Sequence, residues 1–146
     1  FPLLCFALLL SARLPAADGP LHLDQAGFRA GVDSESDVSL VSYEIHGTAD
    51  TPWSWSISES NTLSVEFEGA IGGLSGEGET GVYARVAPQI RLDMETVPLS
   101  FVANAGPALL SEEEFDDFDL GGNFHFFSNV GFDFAFAEGW TAGYRF

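Results

Sequence analysis

In the run His125-Phe126-Phe127-Ser128-Asn129 a histidine and a serine stand three residues apart, the ingredients of nucleophilic catalysis. A serine nucleophile needs an imidazole within hydrogen-bond reach, itself oriented by a third group. In an extended strand, residues two apart share a face and residues three apart point to opposite faces. Unless a bulge intervenes, His125 turns to one side of its strand and Ser128 to the other, so the pair is read as structural. His22 and His46 are read as incidental. Asp133 is expected to pair with Arg91 or Arg145 rather than to catalyse. The acidic run Glu112–Asp119 reads as a solvated loop, with the holding of divalent cations among phosphates as the sharper alternative. Gly72, Gly73, Gly76, Gly78 and Gly81 form a loose turn and no phosphate cradle, because no helix or lysine follows them. A single cysteine, Cys5, excludes a disulfide framework and a cysteine-based zinc site. No catalytic, cofactor-binding or metal-binding residue is therefore assigned within the chain.

The elements that must position these side chains follow from composition and pattern. The 146 residues carry 22 Asp and Glu against 5 basic residues, all of them arginine, for a net charge of −17. That balance opposes nucleic-acid binding, which needs clustered Lys and Arg against phosphates. Hydrophobic residues at 46% and 14 phenylalanines argue against disorder. Residues 1–17 open with the apolar FPLLCFALLL and continue to Ala16 and Ala17, which reads as a secretory leader without its start Met and basic region. The apolar run is short of the ~20 residues a membrane helix needs. Cys5 does not suit a lipoprotein site, because Leu4 stands where a small residue is wanted. The expected organisation is a leader over 1–17 and one incomplete barrel domain over 18–146.

Beyond the leader the dominant period is two, the signature of half-buried strands. Leu63, Val65, Phe67 and Ile71 oppose Ser64, Glu66 and Glu68. Val82, Ala84, Val86, Pro88, Ile90 and Leu92 oppose Tyr83, Arg85, Gln89 and Arg91. Leu99, Phe101, Ala103, Ala105, Pro107 and Leu109 oppose Ser100, Asn104 and Gly106. Phe124, Phe126, Val130, Phe132, Phe134 and Phe136 oppose His125, Asn129 and Asp133. The spacing predicts strands over 26–33, 37–47, 62–74, 80–92, 98–110, 119–137 and 140–146, with an alternation slip in the second. Residues 50–61, with Trp53 and Trp55, read as a connection. The fold class is all-β and antiparallel, either a soluble lipocalin-like barrel with apolar faces inward or an outer-membrane barrel with apolar faces outward.

Three features favour the membrane. The apolar faces are rich in Phe and nearly free of charge over roughly the 9–11 residues a tilted membrane strand needs. The opposite faces carry complementary charges, Glu66 and Glu68 on one strand and Arg85 and Arg91 on the next; Trp140, Tyr144 and Phe146 could form an interfacial girdle. The acidic connections DSESD, LSGEGETG and SEEEFDDFD fall at one end, and the short DMETVP and AEG at the other. Seven strands, the last only begun, leave an up-and-down barrel unclosed; eight is the smallest common size, so about six and a half of eight strands are expected here.

From Arg85 onward the chain resembles the lipid A 3-O-deacylases of the PagL type, also called acyloxyacyl hydrolases. The resemblance rests on Ala87-Pro88 within a strand and the strand from Phe101 to Gly106. It continues through Leu120-Gly121, Phe126 ahead of a Gly131-centred strand, and the closing Gly143-Tyr144-Arg145-Phe146. With the weaker N-terminal strands it covers about residues 26–146. It implies an eight-stranded outer-membrane barrel and a serine esterase that removes the acyl chain from position 3 of lipid A. Lipid A or lipopolysaccharide and outer-membrane lipids are the implied partners, with a homodimer left open and no metal or organic cofactor. The family's His-x-Ser-Asn element would fall directly after Phe146, so the resemblance places no catalytic residue within 1–146. A non-enzymatic outer-membrane barrel and a soluble lipocalin-like binder are the alternatives.

Overall fold

The computed structural model describes residues 5–14, 22–33, 40–76, 79–111, 114–115, 118–119 and 122–146. Ten strands make up the described fold. They are β1 (Cys5–Arg13), β2 (His22–Asp33), β3 (Val41–Ser58), β4 (Asn61–Gly76), β5 (Glu79–Met94), β6 (Leu99–Leu110), β7 (Glu114–Phe115), β8 (Phe118–Asp119), β9 (Phe124–Ala137) and β10 (Trp140–Arg145). Eight close into an antiparallel barrel in the order β1-β10-β9-β6-β5-β4-β3-β2, while β7 and β8 pair only with each other between β6 and β9. Every barrel ladder except the β1–β10 closure joins successive strands of the barrel, with only the β7–β8 pair interposed between β6 and β9, so the barrel is up-and-down.

The ladders fix a steep stagger. A row of direct partners runs from Trp55 through Leu63, Leu92, Phe101, Phe132, Tyr144, Leu8 and Ala30 to Tyr43. One circuit therefore returns to β3 twelve residues from its start. Direct antiparallel partners share a face, so this apolar row winds once around the outer wall.

The two faces are the reverse of a soluble barrel. Outward side chains are apolar and open, with Phe126 at 78% and Leu8 and Ile45 at 71% exposure. The lumen is where the burial lies, and it is polar: Gln89 is 0% exposed, Glu68 and Asp133 2%, Arg145 3% and Arg29 4%. The alternation expected for residues 63–71, 82–92, 99–109 and 124–136 places its apolar members outward as read.

Four expectations change. The barrel has eight strands and is closed, in place of six and a half, because Cys5–Arg13 forms a strand between β2 and β10. Those residues lie within the expected leader, whose positions 1–4 and 15–17 fall outside the described residues. On β1, Leu8 and Leu10 face out and Leu9 and Ser11 face in, an alternation hidden in sequence because nearly every residue of the run is apolar or small. Residues 50–58 are strand and not a connection: β3 continues to Ser58 and meets β4 through a turn at Glu59–Ser60. Of the expected irregular strand 37–47, residues 37–39 lie outside the described residues and 41–47 alternates regularly; the irregularities of β3 against β4 lie at Asp50–Ser54 and Ser56–Ser58. The expected strand 119–137 starts only at Phe124, after Gly122, whose φ of 128° no other residue type adopts readily.

All three tryptophans lie at the short-turn end. Trp140 follows the turn at Glu138–Gly139, where Gly139 has a φ of 76°, and Trp53 and Trp55 lie close to the turn at Glu59–Ser60. Of the expected girdle only Trp140 is at that rim. Tyr144 stacks on Phe132 at 6.0 Å and lies 5.8 Å from Phe146, further along the wall.

Candidate functional site

The lumen-facing positions of β2, β3, β4, β5, β6, β9 and β10 converge on one ionic network. Arg29 and Glu44 are direct cross-strand partners and are joined by an Arg29 NH1 hydrogen bond. Arg29 NH2 also donates to Glu68 Oε2 at 2.8 Å, and Arg85 reaches the same two carboxylates, lying 2.8 Å from Glu68 Oε1 and donating from Nε to Glu44 Oε2 at 2.9 Å. The Tyr83 hydroxyl donates to Glu44 Oε2 at 2.8 Å, and the Arg85 guanidinium lies 4.5 Å over the Phe127 ring. Two arginines and two glutamates thus form a closed square in the half of the lumen nearer the acidic connections.

A second group lies toward the short turns. Arg91 Nε is 3.0 Å from Glu66 Oε1, and its NH2 donates to Asp133 Oδ2 at 2.9 Å. Asp133 Oδ1 is 2.7 Å from Arg145 NH1, which also donates to the carbonyl oxygens of Phe132 and Tyr144 at 3.1 and 3.2 Å. Gln89 and Asn104 join the groups: Gln89 Nε2 donates to Glu66 at 2.7 Å, and Asn104 Nδ2 donates to Gln89 and Glu68 at 3.2 Å. The expected pairing of Glu66 and Glu68 with Arg91 and Arg85 is present. So are both of the pairings anticipated for Asp133.

The buried members of the network balance in charge, with the more exposed Asp93 lying 3.8 Å from Arg91 NH1 at its edge. Arg29, Arg85, Arg91 and Arg145 meet Glu44, Glu66, Glu68 and Asp133. The remaining eighteen acids and Arg13 therefore carry the whole net charge of −17. Charges out of water persist when paired and hydrogen-bonded, and each of these is paired, although Arg29 Nε, Arg85 NH1, Arg145 Nε and Asp133 Oδ1 have no hydrogen-bond partner among the described residues. The sequence pattern sets Arg29 on the face opposite Phe28, Ala30 and Val32, where it is found; Glu44 was not singled out, although the alternation of 41–48 carries the signal.

The site residues weighed from sequence are not brought together. His125 faces the lumen side and its ring bonds the Gly122 carbonyl, while Ser128 is exposed on the outer wall opposite Ala105. His46 is buried in the lumen at 4% exposure with Nδ1 unpartnered. Ser11 and Thr141 share a hydroxyl–hydroxyl hydrogen bond of 3.0 Å. Among the described residues no serine or threonine hydroxyl bonds a histidine ring. The arrangement braces and fills the barrel and does not by itself activate a nucleophile.

Comparison with known proteins adds the family. The model describing lipid A 3-O-deacylase (PagL) matches residues 37–146, from just before β3 to Phe146. No curated protein and no solved structure matches the chain significantly. With three quarters of its length matched, together with the closed antiparallel barrel, the chain belongs to the lipid A 3-O-deacylase (PagL) family.

Proposed function

We propose that this chain is the barrel scaffold of a bacterial outer-membrane lipid A 3-O-deacylase, a serine esterase that removes an ester-linked acyl chain from lipopolysaccharide. The family match over 37–146 carries this reading. The apolar outer wall and charged, paired lumen support a membrane setting, because bare charge on a lipid-facing wall is costly while charge in a barrel interior is tolerated. The acidic connections face outward in this proposal, and the short turns with their tryptophans face the periplasm. In the expected chemistry a histidine draws the proton from a serine hydroxyl as the oxygen attacks the acyl carbonyl, with an acidic group orienting the imidazole. No residue of 1–146 is assigned to those roles, so the chain as given is proposed to be inactive.

The purified chain, refolded with lipopolysaccharide in detergent, should release no 3-linked fatty acid. An ester-hydrolysis rate abolished by Ser128→Ala would overturn both the strand parity and the alignment to the family. The mutually paired, brace-like lumen also suits a second reading, a non-enzymatic structural or adhesive barrel. The coding sequence beyond Phe146 separates the two, a His-x-Ser-Asn element supporting the esterase.

Residues 1–17 are proposed to act as an export leader, in which case the seat of β1 between β2 and β10 passes to another strand. Cys5 is the sole thiol and makes this directly measurable. After export and denaturation, the mature protein should not react with a maleimide. A labelled thiol at full yield would show that Cys5–Arg13 is retained.

A further inference from the structure

We propose that His22, Asp24 and Asp50 form a binding site for a divalent transition metal of the Zn2+ class at the short-turn mouth of the lumen. One potential ligand atom from each of the three side chains lies within 4.8 Å of the other two. The site owes its existence to a bulge. Leu23 pairs with Ala49 and Gln25 with Thr48, so Asp24 is an extra residue in the β2–β3 ladder. A bulge breaks the alternation of its strand and re-aims the side chains around it. Without it, His22 would share the outward face of Phe28 and Ala30. With it, His22 becomes the direct partner of Asp50, which in turn is the partner of lumen-facing Glu66.

The donor set and spacing suit the ion. His22 Nε2 lies 3.5 Å from Asp50 Oδ2. Two ligands about 2.1 Å from a tetrahedral zinc stand roughly 3.4 Å apart, so this pair is already at coordination spacing. One imidazole nitrogen with two carboxylates leaves a fourth position for water, and an imidazole favours zinc and its first-row neighbours over calcium or magnesium. Charge points the same way. Arg91 is committed to Glu66, Asp133 and Asp93, and among the described residues no arginine forms a salt bridge with Asp24 or Asp50. The imidazole and the inward turn of His22 separate this cluster from the acidic connections at the far end.

The test titrates the folded full chain in detergent with Co2+, read by its visible d–d absorption, and then competes with Zn2+. We expect one equivalent bound per chain, displaced by one equivalent of Zn2+ and untouched by millimolar Ca2+ or Mg2+. His22→Gln and Asp24→Asn should each weaken binding at least tenfold, and Glu95→Gln at the same end should leave it unchanged. Heat-dependent gel mobility checks the fold of every variant. X-ray absorption of the Zn2+-loaded unmutated chain should show one imidazole among light-atom ligands and decides the matter if a variant fails to fold. Absent binding, binding indifferent to His22 and Asp24, displacement by Ca2+, or a zinc shell without imidazole would each overturn the proposal. None of these readouts depends on deacylase activity.

Discussion

Replacing Asp133 by alanine should be among the most damaging single changes in the lumen, and its size can be worked from the contacts. Asp133 is 2% exposed and holds Arg145 at 2.7 Å and Arg91 at 2.9 Å. After Asp133→Ala, Arg91 still has Glu66 at 3.0 Å. Arg145 keeps only the carbonyl oxygens of Phe132 and Tyr144, at 3.1 and 3.2 Å. The set of four arginines and four acids passes from neutral to one excess positive charge. Leaving one partner of a buried pair without its counter-charge destabilises by about 3–5 kcal/mol. Arg145→Met removes one of two partners of Asp133 and leaves Arg91 in place, so about 1.5–3 kcal/mol is expected. The double variant removes both members of the pair and restores neutrality, so its loss should fall short of the sum by at least ~1.5 kcal/mol, within the range for residues in contact. Urea unfolding in lipid vesicles, followed by tryptophan fluorescence and gel mobility, measures all three. A loss below about 1 kcal/mol for Asp133→Ala, or a coupling below about 0.5 kcal/mol, would refute the reasoning that pairing sustains the buried charges.

Gly131→Ala should prevent closure, since an added Cβ would collide with the Tyr144 carbonyl oxygen in the β9–β10 ladder and meet Arg145 Cδ at 2.9 Å; a normal heat-modifiable band for this variant would contradict that. The packed, mutually paired lumen should pass no steady ion current, and reproducible conductance steps in a planar bilayer would show a continuous water path instead. With all three tryptophans at one rim, fluorescence should be quenched best by lipids brominated near the headgroup. Quenching that peaks with bromines at the bilayer centre would place the rim wrongly.

The parity of most strands was legible because each carries apolar residues on one face and polar ones on the other. Glu66, Glu68, Arg85, Arg91 and Asp133 could be placed in the lumen, and their pairings anticipated, from alternation alone. Two regions resisted for different reasons. The run Leu8–Ser11 is apolar or small on both faces, so no pattern separates its buried Leu9 from its exposed neighbours, and its composition serves a leader equally well. Residues 50–61 read as a connection because Trp53 and Trp55 stand in a Ser-rich context, yet β3 runs on to Ser58 across a ladder that is irregular there and so tolerates Pro52. Nor is a cluster such as His22, Asp24 and Asp50 visible in sequence. Its members meet only because a bulge reverses a face, and a bulge leaves no mark in a string of residue types.

The twelve-residue return of the outer row to β3 has a consequence for how this chain can vary. In an open sheet a slipped strand disturbs only its neighbours. Around a closed circuit the offsets of eight ladders must add to one fixed total, so register is a property of the ring and not of any single pair. A residue deleted within Gly69–Gly73 cannot be absorbed there, because it would exchange inside for outside along the rest of that strand. It can be absorbed only where the count is already irregular, at Asp24, between Asp50 and Ser54, between Ser56 and Ser58, or beside Trp140. Length changes among related barrels should therefore collect at those four places and in the connections, leaving the rest of the wall fixed in length while its side chains diverge.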